Sequence, residues 1–171
     1  LVPTSKMYKK MYNGAPIRSS YIISNSIGQG EVLTSPIQLA NMMAVVANQG
    51  YYYTPHIVKK IKGQPLDKKF TTKHYSTIDK QYFPPMIQGL ADVYNVGTAS
   101  TLKVEGLQIC GKTGTAENST GKDHAWFIGC ANMPNEDIAF AVIVENSGFG
   151  GSEAAPIIKN ILTSILAKEG K

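Results

Sequence analysis

The sequence is poor in the residues that build metal sites and disulfide scaffolds. Its two cysteines, Cys110 and Cys130, lack CxxC spacing, and its three histidines fall far apart without a ligand rhythm. We therefore expect no metal ion, no cofactor, and two cysteines that serve as small core residues.

The sequence also lacks a long apolar run and a leader. No stretch approaches the ~20 apolar residues that a transmembrane helix needs. The chain starts at Leu1 without an initiator methionine or a signal-like apolar region. We expect it to be a piece of a longer protein.

Charge is sparse as well. Charged residues make up 17% of the chain, 43% of residues are hydrophobic, and the net charge of +5 comes from scattered lysine pairs. This composition excludes a disordered acidic or basic tail and suits one compact domain of 171 residues. Without an aromatic-interleaved basic stripe we expect no nucleic-acid partner. A mildly basic surface suits an anionic wall polymer or a lipid headgroup.

Two helices are predicted in the first 106 residues. Ser35 can cap the first, Pro36 fits its first position, and the body over Ile37–Ala47 is apolar nearly all round, which is typical of a buried helix. The second runs from about Pro84 to Tyr94. Between them, Tyr51–Val58 is predicted to be an extended segment, since its β-branched and aromatic residues fit a half-buried strand, and residues 62–80 are predicted to be loop.

Residues 107–171 have a different pattern. Leu107–Ala116, Ala125–Ala131 and Ile138–Val144 are strand-like, and the short turns between them require antiparallel neighbours. A final helix follows Gly150-Gly151, with Ser152 as its expected N-cap and one apolar stripe that should lie across the sheet. We predict an α+β fold: a three-stranded antiparallel sheet, a covering C-terminal helix and a mainly helical portion over residues 1–106, together one partial domain.

The stretch from Gly106 to Thr115 carries the chemistry and matches two motifs. Gly106–Thr113 fits the phosphate-binding pattern G-x-x-x-x-G-K-[ST] of a nucleotide-binding domain. Lys112-Thr113-Gly114-Thr115 fits the K-T-G element of penicillin-recognising enzymes. A phosphate loop must open a helix, whereas here a turn-forming loop and another strand follow, which favours the second motif.

On an edge strand, the K-T-G element forms a carboxylate site. Lys112 and Gly114 would point to one face and Thr113 and Thr115 to the other. The lysine and the hydroxyls can hold a carboxylate, the glycine lets a substrate backbone approach, and a backbone N–H can face a developing oxyanion.

Several further motifs occur along the chain, and their order and spacing are as informative as their residues. They are Ile27-Gly-Gln-Gly30, Thr34–Ala40, Ala47-Asn-Gln-Gly50, Gly97-Thr-Ala99, Gly111–Glu117, Asp123–Gly129 and Glu145–Ser152. In all of them the chain, from about Ser19 onward, resembles class B penicillin-binding proteins of the elongation type.

The resemblance implies the C-terminal portion of the penicillin-binding and serine β-lactamase-like transpeptidase fold. It implies a serine acyltransferase that cross-links peptidoglycan stem peptides and is periplasmic and anchored in the inner membrane in its full-length form. Lys112, Thr113, Gly114 and Thr115 would bind the carboxylate of the substrate or of a β-lactam, and the Thr115 N–H would be an oxyanion-hole donor.

The chain departs from the family in lacking its nucleophile. No Ser-x-Asn element occurs, and the two Ser-x-x-Lys strings, Ser100–Lys103 and Ser119–Lys122, lie where no catalytic helix is expected. We therefore expect the chain alone to be inactive and to depend on the missing N-terminal half of the domain. A catalytically silent pedestal or interaction domain is the remaining alternative.

Two further expectations concern the sheet. If the first hairpin closes about Thr120, Cys110 and Cys130 lie opposite each other, yet we expect free thiols because cross-strand geometry seldom suits a relaxed disulfide. In the related family the strand matching Ile138–Val144 pairs with a strand that is absent here. The unpaired edge predicts self-association through residues 138–144 or the final helix.

Overall fold

The computed structural model describes residues 2–100 and 103–169, and it divides the chain into two compact units. The first unit ends at Ser35 and the second begins at Pro36.

The first unit contains helices α1, Ser5–Met11, and α2, Ser19–Ser26. The Thr4 hydroxyl caps α1 by accepting a hydrogen bond from the Met7 N–H at 3.3 Å. Three tyrosine rings stack between the helices, with Tyr12 and Tyr21 centroids 4.5 Å apart. Glu31 accepts hydrogen bonds from the hydroxyls of Tyr8, at 3.0 Å, and Tyr12, at 2.5 Å. The polar network thereby ties the segment after α2 to α1.

The second unit begins with α3, Pro36–Ala47, close to the predicted bounds. Our expectation of a fully buried helix is wrong. Met43 and Val46 are buried, whereas Ile37 is 58% and Met42 46% exposed. The helix packs one face against the sheet and leaves apolar side chains of another face open.

The strand predicted over Tyr51–Val58 is wrong beyond its first two residues. Strand β1 is only Tyr51–Tyr52, and it pairs with β2, His74–Tyr75. Residues 53–58 have no strand partner, and without a ladder these β-forming residues remain irregular.

Residues 62–80 hold more structure than the predicted loop. Helix α4, Lys68–Thr71, is capped by Asp67, and a 3₁₀ turn spans Lys80–Tyr82. Helix α5 then covers Phe83–Asn95, which confirms the second predicted helix.

The three-stranded sheet is confirmed. Strands β3, Gln108–Ala116, β4, His124–Asn132, and β5, Ile138–Val144, lie in that order and are antiparallel throughout. Helices α3 and α5 pack on one face of the sheet. On the other lies α6, Ala154–Glu169, as its apolar stripe predicted. Ser152 lies two residues before α6 begins, and its hydroxyl donates to the Phe149 carbonyl.

The cysteine register is confirmed, and the expectation of free thiols is wrong. Cys110 pairs with Cys130 across β3 and β4, and the two form a disulfide with a Cα–Cα distance of 5.2 Å. That separation lies within the usual range for disulfides. The antiparallel register thus places the two cysteines directly opposite each other.

Candidate functional site

The K-T-G element lies on β3, an edge strand of the sheet. Lys112 is exposed, and its Nζ donates to the Thr113 carbonyl at 2.7 Å. Cys110, two residues earlier on the same face, belongs to the core formed with α3 and α5. Lys112 therefore stands at the rim of that face, where it can meet an anion from solvent.

Thr113 lies on the other face and meets the segment after α5. Its Oγ1 is 3.2 Å from Oγ1 of Thr98. Tyr94, at the end of α5, accepts a hydrogen bond from the Val104 N–H, and burial raises the pKa of the Tyr94 hydroxyl. The pair Thr98–Thr113 links the turn after α5 to the motif strand.

Gly150 supports the motif strand from behind. A Cβ at this residue would stand 2.5 Å from the Gly114 carbonyl oxygen and closer still to that of Trp126. No real Cβ approaches backbone so closely, so a residue with a side chain would displace one of the two strands. The loop before α6 thus lies directly against β3 and β4 at the centre of the motif.

The hairpin turn after β3 is held by its own polar side chains. The backbone N–H of Asn118 donates to Asp123 Oδ1 at 3.3 Å, and the backbone N–H of Thr120 donates to Asn118 Oδ1 at 3.0 Å. The Asn146 N–H donates to His124 Nδ1 at 3.0 Å, which joins this turn to the one after β5. These residues organise loops around the motif.

Neither Ser-x-x-Lys string forms an activated serine in the described part of the chain. Ser119 lies in the hairpin turn, where residues three apart do not share a helical face. Ser100 donates its backbone N–H to the Gly97 carbonyl, and residues 101 and 102 of its string lie outside the described residues.

The phosphate-loop alternative for Gly106–Thr113 is wrong. Strand β3 runs continuously through Lys112 and Thr113 to Ala116, and the next regular element is β4. A helix N-terminus that could bind phosphates therefore does not follow Thr113.

Sequence reasoning assigned no role to Thr98 or Gly150. Both lie within motifs that we had noted, Gly97-Thr98-Ala99 and Glu145–Ser152. Their place in these motifs indicated that they matter, but the sequence does not show which distant segments they contact.

Within residues 2–100 and 103–169, no three His, Cys, Asp or Glu side chains come together as a metal site. A cavity of about 260 Å³ lies beside the start of β3 and is lined in part by both cysteines. No helix in the described part of the chain is long and apolar enough to cross a membrane.

The chain is similar to known penicillin-binding protein transpeptidase domains. Residues 2–163 match the model of the penicillin binding protein transpeptidase domain. The peptidoglycan D,D-transpeptidase MrdA of Haemophilus influenzae is 28% identical over 94% of this chain.

Solved structures give the same fold. PBP2 of Pseudomonas aeruginosa, in complex with WCK 5153, superposes with a TM-score of 0.78 at 32% identity over 96% of this chain. Penicillin-binding protein A of M. tuberculosis, as an imipenem acyl-enzyme complex, gives 0.68 at 32% identity over 84%.

The chain spans only part of these relatives: 28% of the length of MrdA, 36% of the PBP2 chain and 33% of the penicillin-binding protein A chain. The match to the family model nevertheless covers nearly the whole of it. The chain belongs to the penicillin-binding protein transpeptidase domain family.

Proposed function

We propose that this chain is the substrate-binding part of a peptidoglycan D,D-transpeptidase, in which Lys112, Thr113, Gly114 and Thr115 hold the substrate. The observation that carries the proposal is the position of these residues on the edge strand of a sheet with the family's fold. An extended peptide can lie along such an edge and pair with its backbone.

The hydrogen-bonding pattern of the β3 backbone supports the Thr115 N–H as an oxyanion-hole donor. Paired residues in an antiparallel ladder are about 5.5 Å apart at Cα when they exchange hydrogen bonds and about 4.5 Å when they do not. The 5.2 Å at Cys110–Cys130 is nearer the first value. Even-numbered β3 residues then bond to β4, and the backbone groups of Thr113 and Thr115 face outward. The hydrogen bond from Lys112 Nζ to the Thr113 carbonyl agrees with this assignment.

Lys112 supplies the charge for a substrate carboxylate. A lysine ammonium with neighbouring hydroxyls forms charge-assisted hydrogen bonds to such an anion. The relative from M. tuberculosis was solved as an imipenem acyl-enzyme complex, and we extend β-lactam recognition to this strand.

In the intact enzyme, a serine Oγ would attack the carbonyl of a D-Ala-D-Ala peptide bond and release the terminal D-Ala. An amine of a second stem peptide would then attack the acyl-enzyme and restore the serine hydroxyl. Since no Ser-x-x-Lys helix is present among residues 2–100 and 103–169, we propose that the chain is inactive without the remainder of the domain.

We place the full-length protein in the periplasm, anchored in the inner membrane, with residues 1–171 in one domain. Its proposed partners are peptidoglycan stem peptides, β-lactams, the rest of the transpeptidase domain and, for the isolated chain, a second copy.

Binding to β3 can be tested by NMR titration of the isotope-labelled chain with a stem peptide ending in D-Ala-D-Ala. We expect the amide signals of residues 112–115 to shift, and Lys112→Ala to abolish the shifts. Lys122→Ala, which removes a lysine from the turn of the same hairpin, is the matched control. Shifts that survive Lys112→Ala would contradict the assigned site.

Inactivity of the isolated chain is tested separately by intact mass after incubation with excess penicillin. We expect no added mass. A drug adduct on Ser100 would make that serine a nucleophile and overturn the proposal that the chain lacks one.

A further inference from the structure

The positive charge of the chain is concentrated in one segment. Residues 51–80, called the basic segment below, contain seven lysines and two aspartates and therefore carry a net charge of +5. The whole chain also carries +5, so all other residues together are neutral. A segment of this kind is a distinct electrostatic feature rather than a share of a generally basic surface.

Residues 55–65, called the tip of the basic segment below, are open to solvent. Every residue from Pro55 to Pro65 is exposed, including Lys59, Lys60 and Lys62. Among the described residues, the single salt bridge joins Lys69 to Asp67 at 3.4 Å, and both of these residues follow the tip in the chain. The three tip lysines have no acidic side chain paired with them among the described residues.

Apolar side chains adjoin these lysines in the sequence and are also exposed. Ile57 is 100% exposed, Ile61 48% and Val58 42%. Ile61 begins a tight turn, in which the Gln64 N–H donates to its carbonyl at 3.2 Å and Gly63 takes φ +77°. This turn directly follows Lys60, so residues 57–62 carry exposed isoleucine, valine and lysine side chains in one continuous stretch.

We propose that the basic segment docks onto the surface of an anionic lipid bilayer. Lysines near such a surface are attracted to its headgroups, and exposed isoleucine and valine enter the boundary between headgroups and acyl chains. A soluble polyanion would use the lysines but would gain nothing from a fully exposed isoleucine. The combination of both chemistries within six residues favours the bilayer. This inference is independent of the proposed substrate site on β3.

The test is partition of the chain onto vesicles of equimolar phosphatidylglycerol and phosphatidylcholine, measured by cosedimentation. We expect binding that falls as salt is added and that is absent with phosphatidylcholine alone. Replacing Lys59, Lys60 and Lys62 by glutamine should weaken partition about 100-fold. Replacing Ile57 and Ile61 by serine should weaken it about tenfold.

Matched controls come from the first unit. Lys6→Gln, Lys9→Gln and Lys10→Gln together remove three exposed lysines within five residues, and Ile22→Ser with Ile23→Ser removes two isoleucines that are 61% and 63% exposed. Both sets should leave partition unchanged. Circular dichroism verifies folding of each variant.

Hydrogen exchange of the unmodified chain supplies a readout without substitutions. We expect anionic vesicles to slow exchange in residues 55–65. Failure to bind vesicles, protection elsewhere instead, or binding to polyphosphate but not to vesicles would each overturn the proposal, the last by identifying a soluble polyanion as the partner.

Discussion

At the scale of single residues, Gly150 lies directly against the backbone of the motif strand. Its missing Cβ leaves room for the carbonyls of Gly114 and Trp126. We expect Gly150→Ala to lower the free energy of unfolding by about 2–3 kcal/mol, since backbone must move to admit the methyl group. Urea denaturation followed by circular dichroism measures the change.

Gly89 offers the opposite case. It lies within α5, has no neighbour within 4 Å of its absent Cβ and has no positive φ. Gly89→Ala should therefore raise the free energy of unfolding by about 0.5–1 kcal/mol through helix propensity. If both substitutions shifted stability in the same direction, crowding at Gly150 would not be the cause.

Tyr12 and Glu31 couple the first unit to pH. The hydrogen bond from Tyr12 holds the pKa of Glu31 below its ordinary value of 4.5, and the hydrogen bond to Glu31 raises the pKa of Tyr12 from 10.0 to about 12. A lowered carboxyl pKa stabilises the fold above pH 4.5, and this stability is lost as pH falls through the folded pKa. A raised tyrosine pKa stabilises it below pH 10, and this stability is lost as pH rises toward about 12.

We expect hydrogen exchange in residues 5–31 to be slowest between these limits and to accelerate at both ends, after correction for the intrinsic rate. Glu31→Gln should remove the acid acceleration, because the amide does not titrate. Acid acceleration of equal size in this variant would assign the effect to other carboxyls.

At the scale of elements, the β3–β4 hairpin is cross-linked upstream of Lys112. We expect no reactive thiol in denaturant without reductant and two after reduction, counted with a thiol reagent. Reduction should cost about 3 kcal/mol in the loop-entropy model for a sequence separation of 20 residues. Two thiols before reduction would restore the expectation of free cysteines.

The elements that sequence reasoning predicted correctly are those whose signals are local. Pro36 at a helix start, the turn residues Asn118–Lys122 and the apolar runs of β4 and β5 each fix a boundary without reference to distant residues. The strand predicted over Tyr51–Val58 failed beyond Tyr52 because strand structure depends on a partner, and composition does not reveal one.

The candidate site divides in the same way. The K-T-G element could be predicted from its sequence motif and from its place on a predicted strand. The contacts of Thr98 with Thr113 and of Gly150 with Gly114 join segments separated by 15 and 36 residues in the chain, and such pairings follow only from the packed fold.

At the scale of the whole molecule, the outer edge of β5 is the feature from which we expect association in solution. Strand β5 is apolar along its length and lies at the end of the sheet. Beside it runs an open groove of about 400 Å³, bordered by Ile37 of α3 and Ile161 of α6. These side chains are 58% and 44% exposed. Unpaired apolar edges of this kind promote association.

We therefore expect two copies of the chain to associate through the β5 edge and its groove. Light scattering across a dilution series should show a species larger than 18.5 kDa that dissociates on dilution. Ile37→Lys with Ile161→Lys should favour the monomer, because each places a charge at the border of the groove, where burial against a second copy would strip its hydration. Val96→Lys, at a side chain that is 82% exposed, is the matched control and should leave the association unchanged. A monomer at every concentration would show that the open edge is tolerated, and association that survives the double substitution would place the contact elsewhere on the surface.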